Sequence, residues 1–360
     1  MNKNSNLTEG GFCFRATGIG SVPFVDVRQT CLHILKCLPE IPFWPQLVKR
    51  SHVEDMHIQF SEGLPLLEIV KDKRALIVSP DHRESELVTF YDHFLAEDLD
   101  HFAISEAYAP GLGELRRLIQ EHPEKYGPYI KGHSVGPITF AAGITVPDGK
   151  SLLYDPELLE AMVKGLSIKA LWQVREMKRS GKKAIIFLDE PYLSGYGSAF
   201  SPIERHVVIS LLKELIGYVR ERSEALMGIH CCGNTDWSMV MEAGPDIVSF
   251  DAFEYMDFFL LYPDHITRFL QEGGIIAWGV VPTSAYTGKE SVEDIFLKLE
   301  RGLNRAYELG LDKEQVIRNS ILTPSCGMGS MDESSTFRVL DLLSALSEKC
   351  EDLTSLIKNL

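Results

Sequence analysis

One alternation constrains this chain more than any other feature. Short apolar runs rich in strand-forming residues each end in small or polar residues, and helical patterns separate them. The runs are FCFRATGIGS (12–21), DHFAIS (100–105), YIKGHSVGP (129–137), AIIFLDEP (184–191), LMGIHCCGN (226–234), DIVSFDAF (246–253), IIAWGVVP (275–282) and SILTPSCGMG (320–329). Between them, 155–182 carries apolar residues at three- and four-residue spacing, and 201–223 opens on serine and proline. The stretch 291–310 offers Ser291 as a helix cap with Asp294 three residues on, and stops at Gly310. Strands alternating with helices of this length predict βαβ units and a parallel sheet. Eight such units fit an α/β fold of the TIM type, a closed (β/α)₈ barrel of typically ~250 residues plus insertions. The 360 residues exceed that, and the surplus falls mostly in 22–100. That Pro- and aromatic-rich stretch is expected as a loop-and-helix excursion over the C-terminal mouth of one barrel domain spanning 1–360. A doubly wound open sheet is the structural alternative. It weighs less, because a barrel converges the polar strand ends on one site whereas an open sheet spreads them along an edge.

Bulk properties narrow the partners. Net charge is −15, from 36 basic and 51 acidic side chains. Such a surface repels nucleic-acid phosphates and anionic lipid. The apolar runs fall well short of the ~20 residues a membrane span needs, and MNKNSNLTEG lacks the apolar core of a signal peptide. Seven cysteines, an odd number, suit a reducing compartment, so the expected location is cytoplasmic.

Three strand ends suggest metal chemistry: those at His230-Cys231-Cys232, Asp251 and Cys326. Alternation along 226–234 points His230 and Cys232 to one face and Cys231 to the other. An His-x-Cys pair plus Cys326, 94 residues further on, supplies the nitrogen and sulfur donors zinc prefers. With only one close pair, the set suits a catalytic ion that keeps a coordination position open. The bland alternative is a hydrogen-bonded core histidine with cysteines as small apolar fillers.

The ordered set G-x-G-S (18–21), G-P-x-T (136–139), D-E-P (189–191), H-x-C-G-N-T (230–235) and the late Cys326-Gly327 resembles the superfamily of cobalamin-independent methionine synthase and uroporphyrinogen decarboxylase. That superfamily includes the methylcobamide:coenzyme M methyltransferases. The resemblance implies a barrel with one Zn²⁺ at its C-terminal mouth, held by His230, Cys232 and Cys326. A fourth family ligand, a glutamate, corresponds to Asp251, with Glu254 a nearby substitute for the shorter aspartate. The activity implied is methylation of a metal-bound thiol, since zinc keeps a thiol ionised that would otherwise be mostly protonated at neutral pH. The resemblance assigns Ile19, Gly20 and Ser21 to the carboxylate of an amino-acid thiol and Asp189 to its ammonium, which favours a homocysteine-like acceptor over coenzyme M. Tyr192, Tyr196, His133 and Ser134 are candidates for lining the cavity. Trp237 and Trp278 read as core.

The methyl donor reads differently. The catalytic histidine of methionine synthase, which relays a proton to the folate leaving group, falls on about Ser284 in GVVPTSAY. Glu62 is the nearest candidate for the folate-side acid. The separate N-terminal barrel of plant and bacterial methionine synthases has no counterpart in these residues. A methylcobamide donor, presented by a corrinoid protein docking over the mouth at FWPQ (43–46), is therefore favoured over methyltetrahydrofolate; a packed loop is the plain reading of FWPQ. Two rivals remain. A decarboxylase-like lyase needs arginines around its cavity, and the early chain offers only Arg15, Arg28 and Arg50. A non-catalytic corrinoid or metal carrier would use Cys231 as a third adjacent soft donor.

Overall fold

Runs of β-branched and apolar residues, buried on both faces, pair side by side into one parallel sheet of seven strands. The computed structural model describes residues 11–198, 203–351 and 353. Its strands are β1 (Arg15–Ala16), β2 (Tyr129–Val135), β3 (Lys183–Asp189), β4 (Leu226–Cys231), β5 (Ile247–Phe250), β6 (Ile275–Val281) and β7 (Ser320–Pro324). The hydrogen-bonded order is β1-β7-β6-β5-β4-β3-β2, so neighbours in sequence are neighbours in space and β1 returns to β7. This is the curled sheet of a barrel rather than a doubly wound open one.

The remaining gap, between β1 and β2, is bridged by residues 42–47. Trp44 N–H donates to Lys131 O (2.8 Å) and Lys131 N–H to Pro42 O (2.9 Å), joining the segment to β2. Beyond Pro45 it changes partner: Gln46 N–H donates to Gly20 O (3.0 Å), and Gln46–Leu47 pairs in parallel with Ser21–Val22. The expected second strand, DHFAIS, forms no strand. Its start is held in a turn by Asp98, whose Oδ1 accepts from His101 N–H at 3.2 Å. The wall position belongs instead to FWPQ, where prolines deprive the ladder of donors and leave little strand pattern. All four FWPQ residues are buried, which removes them as a docking surface.

Residues 22–47 thus form the barrel's first repeat, including helix α1 (Val27–Cys37). The long connection from there to the outer helix Pro110–Glu121, which packs beside α1, runs over residues 48–109 and is the excursion of this chain. It carries an antiparallel pair, Leu67–Val70 with Ala75–Val78, extended by Ile144–Thr145. Its first turns pack onto the strand ends, with Glu54 Oε2 accepting from Leu47 N–H and a His57 ring nitrogen 3.0 Å from Thr139 O.

The helices follow their caps. Asp155 accepts from Leu158 N–H and Pro156 opens α3 (Pro156–Lys178), after the short α2 (Pro137–Ala142). The helix expected at 201–223 spans α4 (Arg205–Arg222); Ser201 and Pro202 lie outside the described residues. Ser291 caps α5 (Val292–Glu308), and Asp332 caps α6 (Glu333–Lys349). Among the described residues no helix is long and apolar enough to cross a membrane.

The barrel interior has its own apolar cluster, including Phe12, Tyr129, Ile185, Phe187, Ile247, Ile275 and Ile321, distinct from the larger core between sheet and helices. Two sequence motifs meet at the rim above it. Glu190 is fully buried, and its carboxyl accepts from Ile138 N–H (2.9 Å), Thr139 N–H (2.8 Å) and Thr139 Oγ1 (2.6 Å). The D-E-P acid therefore caps α2, and the G-P-x-T segment supplies the donors. A Cβ on Gly136 would lie 2.3 Å from that carboxyl. Gly136→Ala is expected to lose about 1–3 kcal/mol of stability by this overpacking, measured by denaturant unfolding; an unchanged midpoint would refute the tight clasp.

Candidate metal centre

Parallel register sets the site. Asp189 pairs with His230, and His230 with Ser249, so three polar side chains stand in one row across β3, β4 and β5. Cys232 follows His230 by two residues and Cys326 follows the end of β7. The donor atoms of His230, Cys232 and Cys326 all lie within 4.8 Å of one another, the spread expected of donors around one ion. His230 is 3% exposed; its Nδ1 lies 2.9 Å from Ser249 Oγ, while Nε2 is buried without a hydrogen-bond partner. A buried ring nitrogen left open toward two sulfurs, with the other nitrogen anchored, is how a metal-ligating histidine is held.

The sulfurs are electrostatically linked. A hydrogen bond from the Cys326 thiol, assisted by nearby His230, holds Cys232 down to about 4 against the effect of burial. The same hydrogen bond, with burial, pushes Cys326 up. The loop bearing Cys326 is fastened on both sides. Ser325 Oγ bonds to Thr283 (3.0 Å), and Met328 N–H donates to Ser21 O (2.9 Å). Gly327 is required by this approach, since a Cβ there would lie 2.2 Å from Ser21 Oγ. Cys231 faces away, as alternation demands. It is fully buried, its thiol donates to Gly233 O (3.5 Å), and burial pushes it up to about 12. The carrier reading loses its third adjacent donor.

The other expected residues divide into near and far. Asp189 is 9% exposed, with Oδ1 buried and unpartnered. Burial raises its carboxyl to about 6 against the pull of Lys131 and His230. Lys131, wholly buried, donates from Nζ to Ile19 O and sits 4.4 Å over the Phe187 ring. Burial brings its amine down to about 8, with Asp189 opposing. Lys131 thereby ties the Ile19-Gly20-Ser21 segment to the row. His133 packs its ring on Trp44 (centroids 4.5 Å apart) with Nε2 3.4 Å from Gln59 Oε1. Burial and Lys131 hold it well below the usual histidine range, so it is a neutral imidazole.

Asp251 stands beside the cluster but outside it. Its Oδ1 accepts from Glu254 N–H (2.9 Å), capping the helix Ala252–Phe259. Burial raises its carboxyl to about 6. Glu62 is committed to the excursion, accepting from Ser105 N–H at 2.7 Å. Tyr192 lines a separate cavity of ≈ 240 Å³ with Leu153, Ile203 and Val207, to which no member of the His230 cluster contributes. Sequence reasoning missed Ser249, Lys131 and Gln59. Ser249 lies two residues before Asp251, so period-two alternation could have found it; a lysine inside the apolar run YIKGHSV was a signal in plain view.

The donor set fits zinc: one imidazole with an open buried nitrogen and two sulfurs, brought together from two strand ends. His230, Cys232 and Cys326 would hold the ion and Ser249 would orient the imidazole. Ser249→Ala is expected to weaken zinc binding by about 10–100-fold while the barrel stays folded, measured by competition with a chromogenic chelator; unchanged affinity would deny Ser249 that role.

No protein-family profile and no curated protein matches this sequence. Among solved structures, the B12-independent methionine synthase from Shewanella sp. W3-18-1, in complex with selenomethionine, superposes with a TM-score of 0.61. It is 17% identical, over 94% of this chain and 98% of its own. A GH113 beta-mannanase from Alicyclobacillus acidocaldarius gives a TM-score of 0.37 at 12% identity, over 66% of this chain and 78% of its own. At these identities the likeness is one of fold, and the fold this chain shares, nearly end to end, is that of the B12-independent methionine synthase barrel.

Proposed function

We propose that this chain is a zinc-dependent S-methyltransferase that moves a methyl group from a methylcorrinoid to a small amino-acid thiol such as homocysteine. The observation that carries the reading is the unpartnered His230 Nε2, buried beside the Cys232 and Cys326 sulfurs and one strand from an unpartnered Asp189 oxygen. Zinc bound there would supply a Lewis acid that keeps the acceptor sulfur ionised at neutral pH. The protein's own groups do the rest. Asp189 offers its open Oδ1 to the acceptor's ammonium. Lys131 holds the Ile19 carbonyl and so fixes the segment that would meet the acceptor's carboxylate. The apolar plug beneath the row excludes water from below.

The likeness to a methionine synthase barrel that binds selenomethionine supports an amino-acid acceptor. The donor half of the proposal rests on Ser284, an exposed serine where the resemblance expects the proton-relaying histidine. A corrinoid leaving group needs no proton on nitrogen. The structural neighbour's description as B12-independent favours a different donor, so the second reading is a methyltetrahydrofolate-dependent enzyme on the same acceptor chemistry.

Both halves are open to assay. Zinc-loaded protein with homocysteine is expected to form methionine from methylcobalamin and not from methyltetrahydrofolate; the reverse result would replace the donor. Cys326→Ser is expected to lose zinc and all transfer while keeping its far-UV circular dichroism, and undiminished turnover would defeat the metal reading. Asp189→Asn should lower kcat/KM for homocysteine about 10–100-fold, the loss of one charge-assisted hydrogen bond. It should weaken coenzyme M far less, and equal losses would argue against an amino-acid acceptor.

A further inference from the structure

A second constellation of ligand-type side chains lies on the outer wall of the barrel, on the helices near its two chain ends. On α1, His33 and Cys37 are four residues apart and so share a face. Helix α6 brings Asp341 to them from 304 residues away in sequence. His33 Nε2 lies 3.5 Å from Cys37 Sγ, and Cys37 Sγ lies 3.7 Å from Asp341 Oδ1. All three donor atoms fall within 4.8 Å of one another. Donors bonded to one zinc ion at ~2.0–2.3 Å and at the tetrahedral angle are about 3.5 Å apart. The observed separations are those of adjacent corners of such a tetrahedron.

Other uses of the trio fit less well. In a nucleophilic triad the carboxylate orients the imidazole and the imidazole takes the proton from the thiol. Here the carboxylate meets the thiol instead, so Asp341 cannot steer His33. Nor is Asp341 engaged elsewhere, for among the described residues no ion pair uses it. The His33 ring is held edge-on against Phe337 (centroids 4.5 Å apart, 79° between planes), and Phe24 packs on the same phenyl ring at 4.6 Å. The imidazole is thus fixed by packing before any ligand arrives. Cys37 is 6% exposed, whereas Asp341 is open to solvent, so an ion held by all three would keep one position for water.

We propose that His33, Cys37 and Asp341 form a second metal site, for Zn²⁺ or another divalent ion that accepts mixed nitrogen, sulfur and oxygen donors, and that the ion clamps α1 to α6. Its work would be mechanical. It would join the barrel's first helix to its last described one, across the seam where β1 meets β7. It is independent of the chemistry proposed for the barrel centre, because it shares no ligand with it.

Cobalt(II) serves as the probe, since a thiolate bound to it gives a charge-transfer absorption that an oxygen-only site lacks. Titration of the reduced full chain is expected to show two classes of thiolate-bound Co²⁺. Cys37→Ser should remove one class and leave the other, and Asp341→Asn, at an exposed position, should weaken that same class by about tenfold or more. Cys326→Ser should remove only the remaining class, so failure at the barrel centre is distinguishable from failure here. Added Zn²⁺ should raise the Tm of Cys326→Ser protein but not of a Cys37→Ser/Cys326→Ser double variant. An unchanged Co²⁺ spectrum and stoichiometry in both Cys37→Ser and Asp341→Asn would overturn the proposal.

Discussion

A buried polar atom must find a partner or it costs free energy, and the upper barrel is organised around that constraint. Parallel register lines up Asp189, His230 and Ser249, and the apolar cluster around Phe187 seals them from below. Ser249 answers one nitrogen of His230; nothing among the described residues answers the other, nor Asp189 Oδ1. Two unanswered atoms on adjacent strands of one row, beside two sulfurs, mark a place where a ligand would complete the structure. The same constraint separates two adjacent acids. Glu190, with three donors, is structural, while Asp189, one residue earlier and on the opposite face, keeps an open oxygen.

Lys131 makes that arrangement tolerable. A carboxylate as buried as Asp189 is costly alone, and removing one member of a buried charge pair leaves the other uncompensated. Lys131 supplies the opposite charge, spends one donor on the Ile19 carbonyl and lies over the Phe187 ring. Its role therefore spans two levels, charge balance within the barrel and placement of the strand-one terminus. The close packing of His133 against Trp44 and Gln59 completes that side without adding charge.

Much of this was legible in the sequence where a local pattern reports a global position. Seven strands could be read because both of their faces are buried, so their apolar runs are nearly continuous. The bridging segment could not, since Pro42 and Pro45 break the pattern while the barrel still uses the backbone between them. DHFAIS imitated a strand because Phe102 and Ile104 are buried, but they join the core between sheet and helices without entering a ladder, Phe102 lying edge-on to Phe90 at 5.5 Å. At the site, alternation alone separated His230 and Cys232 from Cys231. Ser249 escaped notice because a serine in a strand carries no chemical flag until its neighbour is known. Asp341 escaped because nothing local connects it to Cys37 across 304 residues.

The two sulfurs of the barrel centre carry the last step of the argument. The Cys326 thiol lowers Cys232 and is itself pushed up by it, so one thiolate is favoured and a second is costly so close by. A divalent cation held there would reverse that balance, because it would supply the charge that stabilises both thiolates at once. An ion bound there would find the two sulfurs already adjacent, an economy of rearrangement. That economy follows from fastening each cysteine independently: Cys232 follows the end of β4, and Cys326 lies in a loop tied to Thr283 and Ser21. Rigid placement of the donors, rather than their identity alone, is what would let such a centre favour a small tetrahedral ion over larger oxygen-seeking ones.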